Sequence, residues 1–402
     1  MLNVQIPSPR SPGLRAVIAA VAINLVSVLP LFLTGAMAVQ ISRDIGASAT
    51  SVGMMASMFA FATMAGSAPL GRMVGRWGVR RSMRASALAA ALALLAGAAS
   101  TSLWWLGAAL FLGGIGNALS QPAGNALVAA QLSARHFGIG FAIKQSGIPV
   151  ATLLGGLSVP LIALTLGWQA AYLAAAALAL VAIPLIPADR EVTPGRAEAA
   201  VPRKLVVPLW GLALGASAAV VAATSIGALG AAGGVAAGLP EATAGYLVAL
   251  GGLAGLIVRL SAGTAADRFS FDVLHGVALL CVLGAVGWAL MAIGEPVMFA
   301  IGLVVANAFG WGWPGLQHLA VARRFPTATA AASGVSQTGV AVGLLVGPAL
   351  LGATAGGFGW TWTWLLAACA AVVGAVAVTF AARRIPQPQE VAHSALARRA
   401  AS

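Results

Sequence analysis

The sequence predicts an all-helical membrane protein whose twelve spans form two six-helix bundles. Three observations support this fold class. Of the 402 residues, 60% are hydrophobic and only 8% are charged, whereas soluble domains contain about 25% charged residues. Apolar runs recur along the chain, and each is long enough to cross a bilayer about 30 Å thick. One long polar segment, residues 188–205, separates six runs from another six.

The predicted spans follow the apolar runs in order. The first is too long for the core of a signal peptide and is followed by further spans, so we expect it to be retained. The twelve spans are 14–41, 50–70, 82–100, 104–132, 138–164, 168–187, 206–236, 242–262, 274–293, 296–321, 328–352 and 361–382. The sequence therefore predicts an N-terminal bundle (14–187), a cytoplasmic linker (188–205), a C-terminal bundle (206–382) and a basic cytoplasmic tail (383–402).

The basic residues predict the orientation in the membrane. With the N-terminus inside, all but three of the 22 Lys and Arg residues fall on the inner side, which is the positive-inside pattern. The three exceptions are Arg43 in an outer loop and Lys144 and Arg259 within spans. We therefore expect both termini in the cytoplasm and a location in a bacterial-type plasma membrane. The net charge of +13 reflects topology and contact with the lipid bilayer, and it does not indicate nucleic-acid binding.

The two halves repeat one another at a constant offset of 192 residues, and identical residues coincide at several places. The coinciding pairs are Gly71 and Gly263, Arg76 and Arg268, Pro122 and Pro314, Gln145 and Gln337, Gly147 and Gly339, and Trp168 and Trp360. Parallel repeats of this kind typically rock around a site at their interface, near the middle of the membrane.

Two loop segments carry a family resemblance. "GRMVGRWGVRR", which starts at Gly71, resembles the loop motif of the major facilitator superfamily, Gly-x-x-x-Asp-Arg-x-Gly-Arg-Arg, and "GTAADRF", which starts at Gly263, resembles its second copy. The resemblance implies a twelve-span transporter in which this motif steadies one conformation. The motif residues are Gly71, Gly75, Arg76, Gly78, Arg80, Gly263, Asp267 and Arg268. Gly75 stands where the family has aspartate, so the charge contact of the first copy is either missing or supplied otherwise. The alternative is that these arginines only set topology.

Lys144 interrupts the fifth predicted span. The positions that share its helical face are small: Gly140, Gly147, Ala151 and Gly155. Small residues mark places where helices approach closely or border a cavity, which favours a lysine that points into the bundle. Its place near the inner end of the span also leaves open that the side chain snorkels to the headgroups.

Arg259 interrupts the eighth predicted span in the same way. None of the nine acidic residues lies within a predicted span, so the usual partner of a buried cation is absent. A substrate carboxylate would suit both groups, since arginine binds it with a bidentate fork and lysine as a point charge. At the repeat offset, Lys144 aligns with Ser336 and Arg259 with Ser67, so neither charge recurs in the other half. The alternative is that both are structural or snorkelling cations.

The surroundings of Arg259, "RLSAG", resemble those of the span-eight arginine in proton-coupled monocarboxylate carriers and in the bacterial oxalate–formate exchanger. In those families this arginine engages the substrate carboxylate. The resemblance rests on one residue at one spacing, and it implies a carboxylate ligand for Arg259.

Polar side chains follow single faces of three predicted spans: Asn24, Ser27 and Thr34 in the first, Asn117, Gln121 and Asn125 in the fourth, and Asn307, Trp311, Gly315 and His318 in the tenth. Buried amides must be satisfied by one another, by water or by a ligand, so these faces predict either a hydrated pathway or interhelical hydrogen bonds. With the two cations, the predicted substrate-binding residues are Lys144, Arg259, Asn24, Asn117, Gln121, Asn307, Trp311 and Gln337. His318 is a candidate for proton coupling, or simply a hydrogen-bonding residue.

The sequence thus predicts a monomeric secondary active transporter that moves a small organic anion, a monocarboxylate, by alternating access. The coupled species would be a proton or a counter-anion, and no cofactor or metal is expected. The first alternative is a proton-driven efflux pump for drugs or lipophilic compounds, although an acid-free interior disfavours cations. A non-transporting sensor would need a longer soluble domain. An enzyme is not expected, because the spans contain no metal-ligand set and no nucleophile beside a histidine.

Overall fold

The computed structural model describes residues 12–129, 142–187, 201–269, 271–326 and 328–386, and over these residues it is helical and contains no strand. Several predicted features lie outside the described residues. They are residues 188–200 of the linker, residues 387–402 of the tail, the facing ends of the fourth and fifth spans (130–141), and Arg10 and Arg135.

The N-terminal half contains seven helices of eight or more residues within its described part. They are α1 (Pro12–Ala36), α2 (Ala38–Ile45), α3 (Ala49–Trp77), α4 (Val79–Ala98), α5 (Leu103–Ala129), α6 (Gly147–Ser158) and α7 (Trp168–Ala182). A π-helical turn, Val159–Ala163, continues α6 beyond its α-helical end. The described C-terminal half contains α8 (Arg203–Ala236), α9 (Glu241–Arg268), α10 (Val273–Ala292), α11 (Pro296–Gly310), α12 (Pro314–Arg324), α13 (Thr329–Gly357) and α14 (Trp360–Arg384).

Eleven helical stretches in the described part of the chain are long and apolar enough to cross a membrane. The predicted third span, α4, is the helix that does not meet this measure. Its first turns contain Arg80, Arg81 and Arg84, which lower its hydropathy. The helix nevertheless packs against α5 and α7 as a member of the bundle. The all-helical fold class is therefore confirmed, whereas the orientation of the termini stays a prediction.

The first and the tenth predicted spans each consist of two helices of eight or more residues. The first span breaks at Met37, between α1 and α2. The tenth span breaks over Trp311–Trp313, between α11 and α12. The second break has a direct cause, because Pro314 has no N–H and its ring interferes with the preceding turn. Proline is accepted at the first position of the new helix, α12.

The helix pairing repeats in the two halves. In the N-terminal half α5 packs against α3 and α4, and α1 packs against α6; in the C-terminal half α11 packs against α9 and α10, and α8 packs against α13. The most extensive pairings between the halves are α3 with α13, α6 with α9, and α1 with α8. At the repeat offset of 192 residues, α3 corresponds to α9 and α6 corresponds to α13. The pair α3–α13 is therefore the counterpart of the pair α9–α6, as expected of two related bundles.

The halves touch most closely at the predicted outer end, which we define as the end that carries Arg43 and Glu241. A Cβ on Gly35 of α1 would lie 1.7 Å from the carbonyl oxygen of Gly227 in α8. A Cβ on Gly53 of α3 would lie 2.1 Å from the carbonyl oxygen of Pro348 in α13. Only glycine permits such approaches, so the outer end is closed in this conformation.

The same helices separate towards the predicted inner end. A Cβ on Gly71 or Gly75 of α3, or on Gly334 of α13, would meet no atom within 4 Å. Helices α3 and α13 are therefore in contact near Gly53 and Pro348, and they are apart about four to six turns further in. Together with the closed outer end, this divergence describes a bundle that opens towards the predicted inner side.

Candidate functional site

Three predicted site residues form one buried hydrogen-bonded ring between α1, α5 and the segment before α6. Lys144 is 1% exposed, and its Nζ donates to Oε1 of Gln121. Gln121 Nε2 donates to Asn24 Oδ1 at 2.8 Å, and Asn24 Nδ2 donates to the backbone oxygen of Lys144 at 3.0 Å. The lysine therefore lies inside the bundle, with a neutral amide as its partner.

Asn117 extends this ring along α5. Its Oδ1 accepts from Ser27 Oγ at 3.2 Å and from Gln121 Nε2 at 3.3 Å. Its Nδ2 donates to Thr63 Oγ1 at 3.3 Å. The polar faces predicted on the first and fourth spans thus meet each other, and together they hold Gln121 against the lysine.

Arg259 is also 1% exposed, and its guanidinium bridges two backbone carbonyls. Nη1 donates to the oxygen of Gln145 in the N-terminal half, and Nη2 donates to the oxygen of Trp311 in its own half. The first carbonyl lacks its helical donor because of a proline, and the second lies at the end of a helix. Pro149 stands four residues after Gln145 and has no N–H to complete that helical turn. Trp311 ends α11, and Pro314 follows it at the start of α12.

The two cations lie close together and have no acidic neighbour. Gln145, whose carbonyl binds Arg259, directly follows Lys144 in the chain. The acidic side chains of the described residues all lie at helix ends or in loops: Asp44, Glu241, Asp267, Asp272 and Glu295. A buried charge is stabilised by a nearby opposite charge or by several hydrogen bonds. Amide and carbonyl oxygens are the partners of Lys144 and Arg259 here, so two positive charges face the centre of the bundle without a protein anion.

A third polar group joins α12 and α13. The Nε2 atoms of Gln337 and His318 are 2.8 Å apart, and His318 Nδ1 lies 2.6 Å from the carbonyl oxygen of Pro314. An amide N–H can only donate, so His318 Nε2 accepts and Nδ1 donates, which is the pattern of a neutral imidazole. The structure therefore brings Gln337 and His318, which were predicted separately, together on the C-terminal side of the site.

Asn307 does not join these groups. It is buried between α11 and α9, where a Cβ on Gly251 would lie 2.6 Å from its Nδ2 atom. This Nδ2 atom has no hydrogen-bond partner among the described residues. The sequence places Asn307 on one face with Trp311 and His318, and the helix is interrupted between Gly310 and Pro314. The role of Asn307 in substrate binding stays a prediction.

Sequence reasoning missed two features of the site. One is the Gln145 carbonyl as a partner of Arg259, although Pro149 in "KQSGIP" was a signal for it. The other is the pair formed by Gln317 Nε2 and Ser336 Oγ, which are 2.6 Å apart. Ser336 is the repeat counterpart of Lys144. In the N-terminal half Gln121 of α5 binds Lys144, and in the C-terminal half Gln317 of α12 binds Ser336 of α13, so a glutamine amide makes the corresponding connection in each half. The N-terminal amide accepts from a lysine, whereas the C-terminal amide donates to a serine.

The two copies of the loop motif differ in their charge contacts. In the second copy Asp267 lies 3.6 Å from Arg323, and Asp272 pairs with Arg324. Partial burial of Asp272 opposes ionisation. The charge of Arg324 and the hydrogen bonds to the carboxylate outweigh this effect and lower the pKa of Asp272 below its ordinary value. Arg268 is exposed.

Among the described residues, the first copy forms no comparable ion pair. Gly71 and Gly75 face open space, and Gly78 forms the turn into α4 with a φ of +82°. Arg76 is exposed, and Nε of Arg80 is buried without a partner in the described part of the chain. At the repeat offset, Arg323 aligns with Gln131, which lies outside the described residues. Both members of the Asp267–Arg323 pair are thus absent from the first copy.

Residues 20–335 match the family model of the Major Facilitator Superfamily. The chain belongs to this superfamily. A chloramphenicol resistance protein of Streptomyces lividans is 30% identical over 366 residues, which cover 84% of this chain and 89% of that protein. The fold is similar to the crystal structure of a bacterial homologue of the human lysosomal transporter Spinster, in an inward-facing and unoccupied conformation. The comparison gives a TM-score of 0.69 at 15% sequence identity, and the aligned region covers 93% of this chain and 97% of the Spinster homologue.

This membership confirms the superfamily resemblance seen in the loop motifs. As a member of the Major Facilitator Superfamily, the protein is a multi-pass membrane transporter for a small molecule. The monocarboxylate branch stays a prediction, and so do the individual substrate-binding residues.

Proposed function

We propose that this transporter moves a small organic anion, with a carboxylate held between Lys144 and Arg259. The observation that carries the proposal is the pair of nearly inaccessible cations with neutral partners only. A carboxylate would supply the missing negative charge. It would form charge-assisted hydrogen bonds, which are roughly twice as strong as bonds between neutral groups.

The neighbouring amides would orient the bound molecule. Gln121 and Asn117 lie on the N-terminal side of the cations, and Gln337 lies on the C-terminal side. The substrate would therefore bind between the two halves, where rocking of one half against the other exposes a site alternately to the two sides. We place this activity in a bacterial plasma membrane, with a proton or a second anion as the coupled species.

A thermal-shift screen of the purified protein tests the proposal. A ligand that binds the folded state at 100 times its Kd adds about 2.7 kcal/mol to the stability. The probes are formate, lactate, benzoate, a neutral sugar, an amino acid, chloramphenicol and a lipophilic cation. We expect stabilisation by at least one carboxylate, and loss of that stabilisation in Lys144→Gln and Arg259→Gln.

The chain offers matched controls for both variants. Arg203 and Lys204 are adjacent, exposed residues at the start of α8, so Arg203→Gln and Lys204→Gln remove the same charges from the surface. We expect both controls to keep the carboxylate shift. The anion proposal is wrong if no carboxylate stabilises the wild type, or if the variants at 144 and 259 respond as the controls do.

Export of a neutral antibiotic is a second candidate function, and one observation favours it. The relative from Streptomyces lividans, at 30% identity, is named a chloramphenicol resistance protein. Chloramphenicol carries hydroxyl, amide and nitro groups, which the amides of Asn24 and Gln121 could bind. A host strain without its own pumps should then survive higher chloramphenicol concentrations when it expresses this protein. Unchanged sensitivity at verified expression would remove this candidate.

A further inference from the structure

Arg259 joins the two halves at one point. Six hydrogen bonds between described residues cross from the N-terminal to the C-terminal half. Five lie towards the predicted outer end and connect α2 with α9 or α3 with α13. The sixth, from Arg259 to the Gln145 carbonyl, lies deepest towards the predicted inner side. Beyond it, α3 and α13 have already separated.

Pro149 creates the acceptor for this sixth bond. An ordinary residue at position 149 would donate its backbone N–H to the Gln145 oxygen, four residues earlier. Proline cannot, so the carbonyl is left for the guanidinium. The regular helical bonds resume at the next residue, because Val150 N donates to the Ser146 oxygen at 3.1 Å. Pro149 is thus a positioning residue that acts through Gln145 on Arg259.

We propose that the bond between Arg259 and the Gln145 carbonyl is a link that an anionic substrate weakens, so that substrate binding and contact between the halves oppose each other. This inference rests on the proposed function and adds its regulation. The carbonyl bonds are strong because the guanidinium is charged and buried. A carboxylate on any of its remaining N–H groups neutralises that charge, and a carboxylate at Nη1 displaces the carbonyl.

The substrate would thereby loosen the contact between α9 and the start of α6. Of the hydrogen bonds that join the halves in the described part of the chain, this contact lies farthest from the closed outer end. An empty transporter would keep the link and stay in the described conformation, whereas a loaded one would move more freely. Coupling of this kind is reciprocal: if the anion weakens the link, loss of the link must strengthen anion binding by the same factor.

The test replaces Pro149 with alanine, which gives the Gln145 carbonyl a backbone donor of its own. Arg259, Lys144 and the amides are left unchanged. The matched control is Pro208→Ala, because Pro208 also lies inside a helix, α8, and the carbonyl four residues before it belongs to the exposed Lys204. Affinity is measured with formate, lactate and benzoate, using the carboxylate that stabilises the wild type most.

We expect Pro149→Ala to bind this carboxylate roughly tenfold more tightly, within the usual range of allosteric coupling, and Pro208→Ala to bind it as the wild type does. Arg259→Gln should lose binding. A purely structural proline would leave the affinity unchanged or reduce it, because distortion of α6 does not improve a site. Either of these results overturns the inference.

A second measurement needs no ligand and separates this inference from the proposed function. Spin labels at Thr101 and Ile293, both exposed, report the distance between the halves in a background without Cys281 and Cys369. We expect ligand-free Pro149→Ala to populate a second distance that the wild type and Pro208→Ala lack. An identical distribution in all three proteins overturns the link. If the second distance appears but no carboxylate binds the wild type, the proposed function fails and the coupling to an anion fails with it.

Discussion

Replacement of Lys144 with methionine should raise the stability of the protein. Lys144 is 1% exposed, and its charge is compensated by one hydrogen bond to the neutral Gln121. The burial of an ion costs several kcal/mol even after the protein relaxes. A hydrogen bond from a charged group returns about 1.5–3 kcal/mol. Methionine has nearly the same length and leaves no cavity, so we expect a net gain of about 1–3 kcal/mol.

The assay is thermal unfolding in detergent, followed by intrinsic fluorescence, with Lys204→Met as the control. Lys204 is exposed, and its replacement should change the free energy of unfolding by no more than about 0.5 kcal/mol. We expect Lys144→Met to melt a few degrees higher than the wild type and to lose its response to carboxylates. A lower melting temperature would mean that Gln121 and the surrounding structure satisfy the lysine. Lys144 would then be a structural cation, and the anion site would lose one of its two charges.

Three further predictions concern contacts outside the site. Gly53→Ala forces α3 away from Pro348, so a cysteine in place of Ser57 should react faster with a membrane-impermeant thiol reagent added from the outside. Glu241→Gln should increase the same reactivity but hardly change the melting temperature, because exposed ion pairs contribute about 0–1 kcal/mol. Asp272→Asn keeps the helix cap and removes the charge. The lowered pKa of Asp272 stabilises the fold above about pH 4, so the variant should melt lower at pH 7 and converge with the wild type on acidification below that value. Unchanged thiol reactivity in either of the first two variants, or pH-independent melting differences in the third, would contradict the corresponding contact.

The fold could be predicted from the sequence because its main determinants are local. Apolar length predicts the spans, and the constant offset between the halves predicts that their helix pairing repeats. The α4 helix is the weakest case, since Arg80, Arg81 and Arg84 reduce its hydropathy although the helix is packed in the bundle. Pro314 is visible in the sequence, but the sequence alone does not show that the helix is interrupted over Trp311–Trp313 before it.

The candidate site could be predicted only in part. Lys144 shares a helical face with the small residues Gly147 and Ala151, and this face correctly indicated that its side chain points into the bundle. Helical periodicity is enough to show towards which side of a helix a side chain points. Periodicity does not show which backbone groups lack partners. The two carbonyls that bind Arg259 depend on Pro149 and on the end of α11, and both lie outside α9, the helix of Arg259. Partners of this kind require the tertiary structure.

The measurement that tests the anion site most directly is exchange of a labelled carboxylate across proteoliposomes. Formate, lactate and benzoate would be tested separately with wild type, Lys144→Met, Arg259→Gln and Lys204→Met. We expect saturable exchange of at least one carboxylate by the wild type and the Lys204 control, and its loss in the variants at 144 and 259. Exchange that persists in both variants, or transport of chloramphenicol without any carboxylate, would contradict an anion site between Lys144 and Arg259.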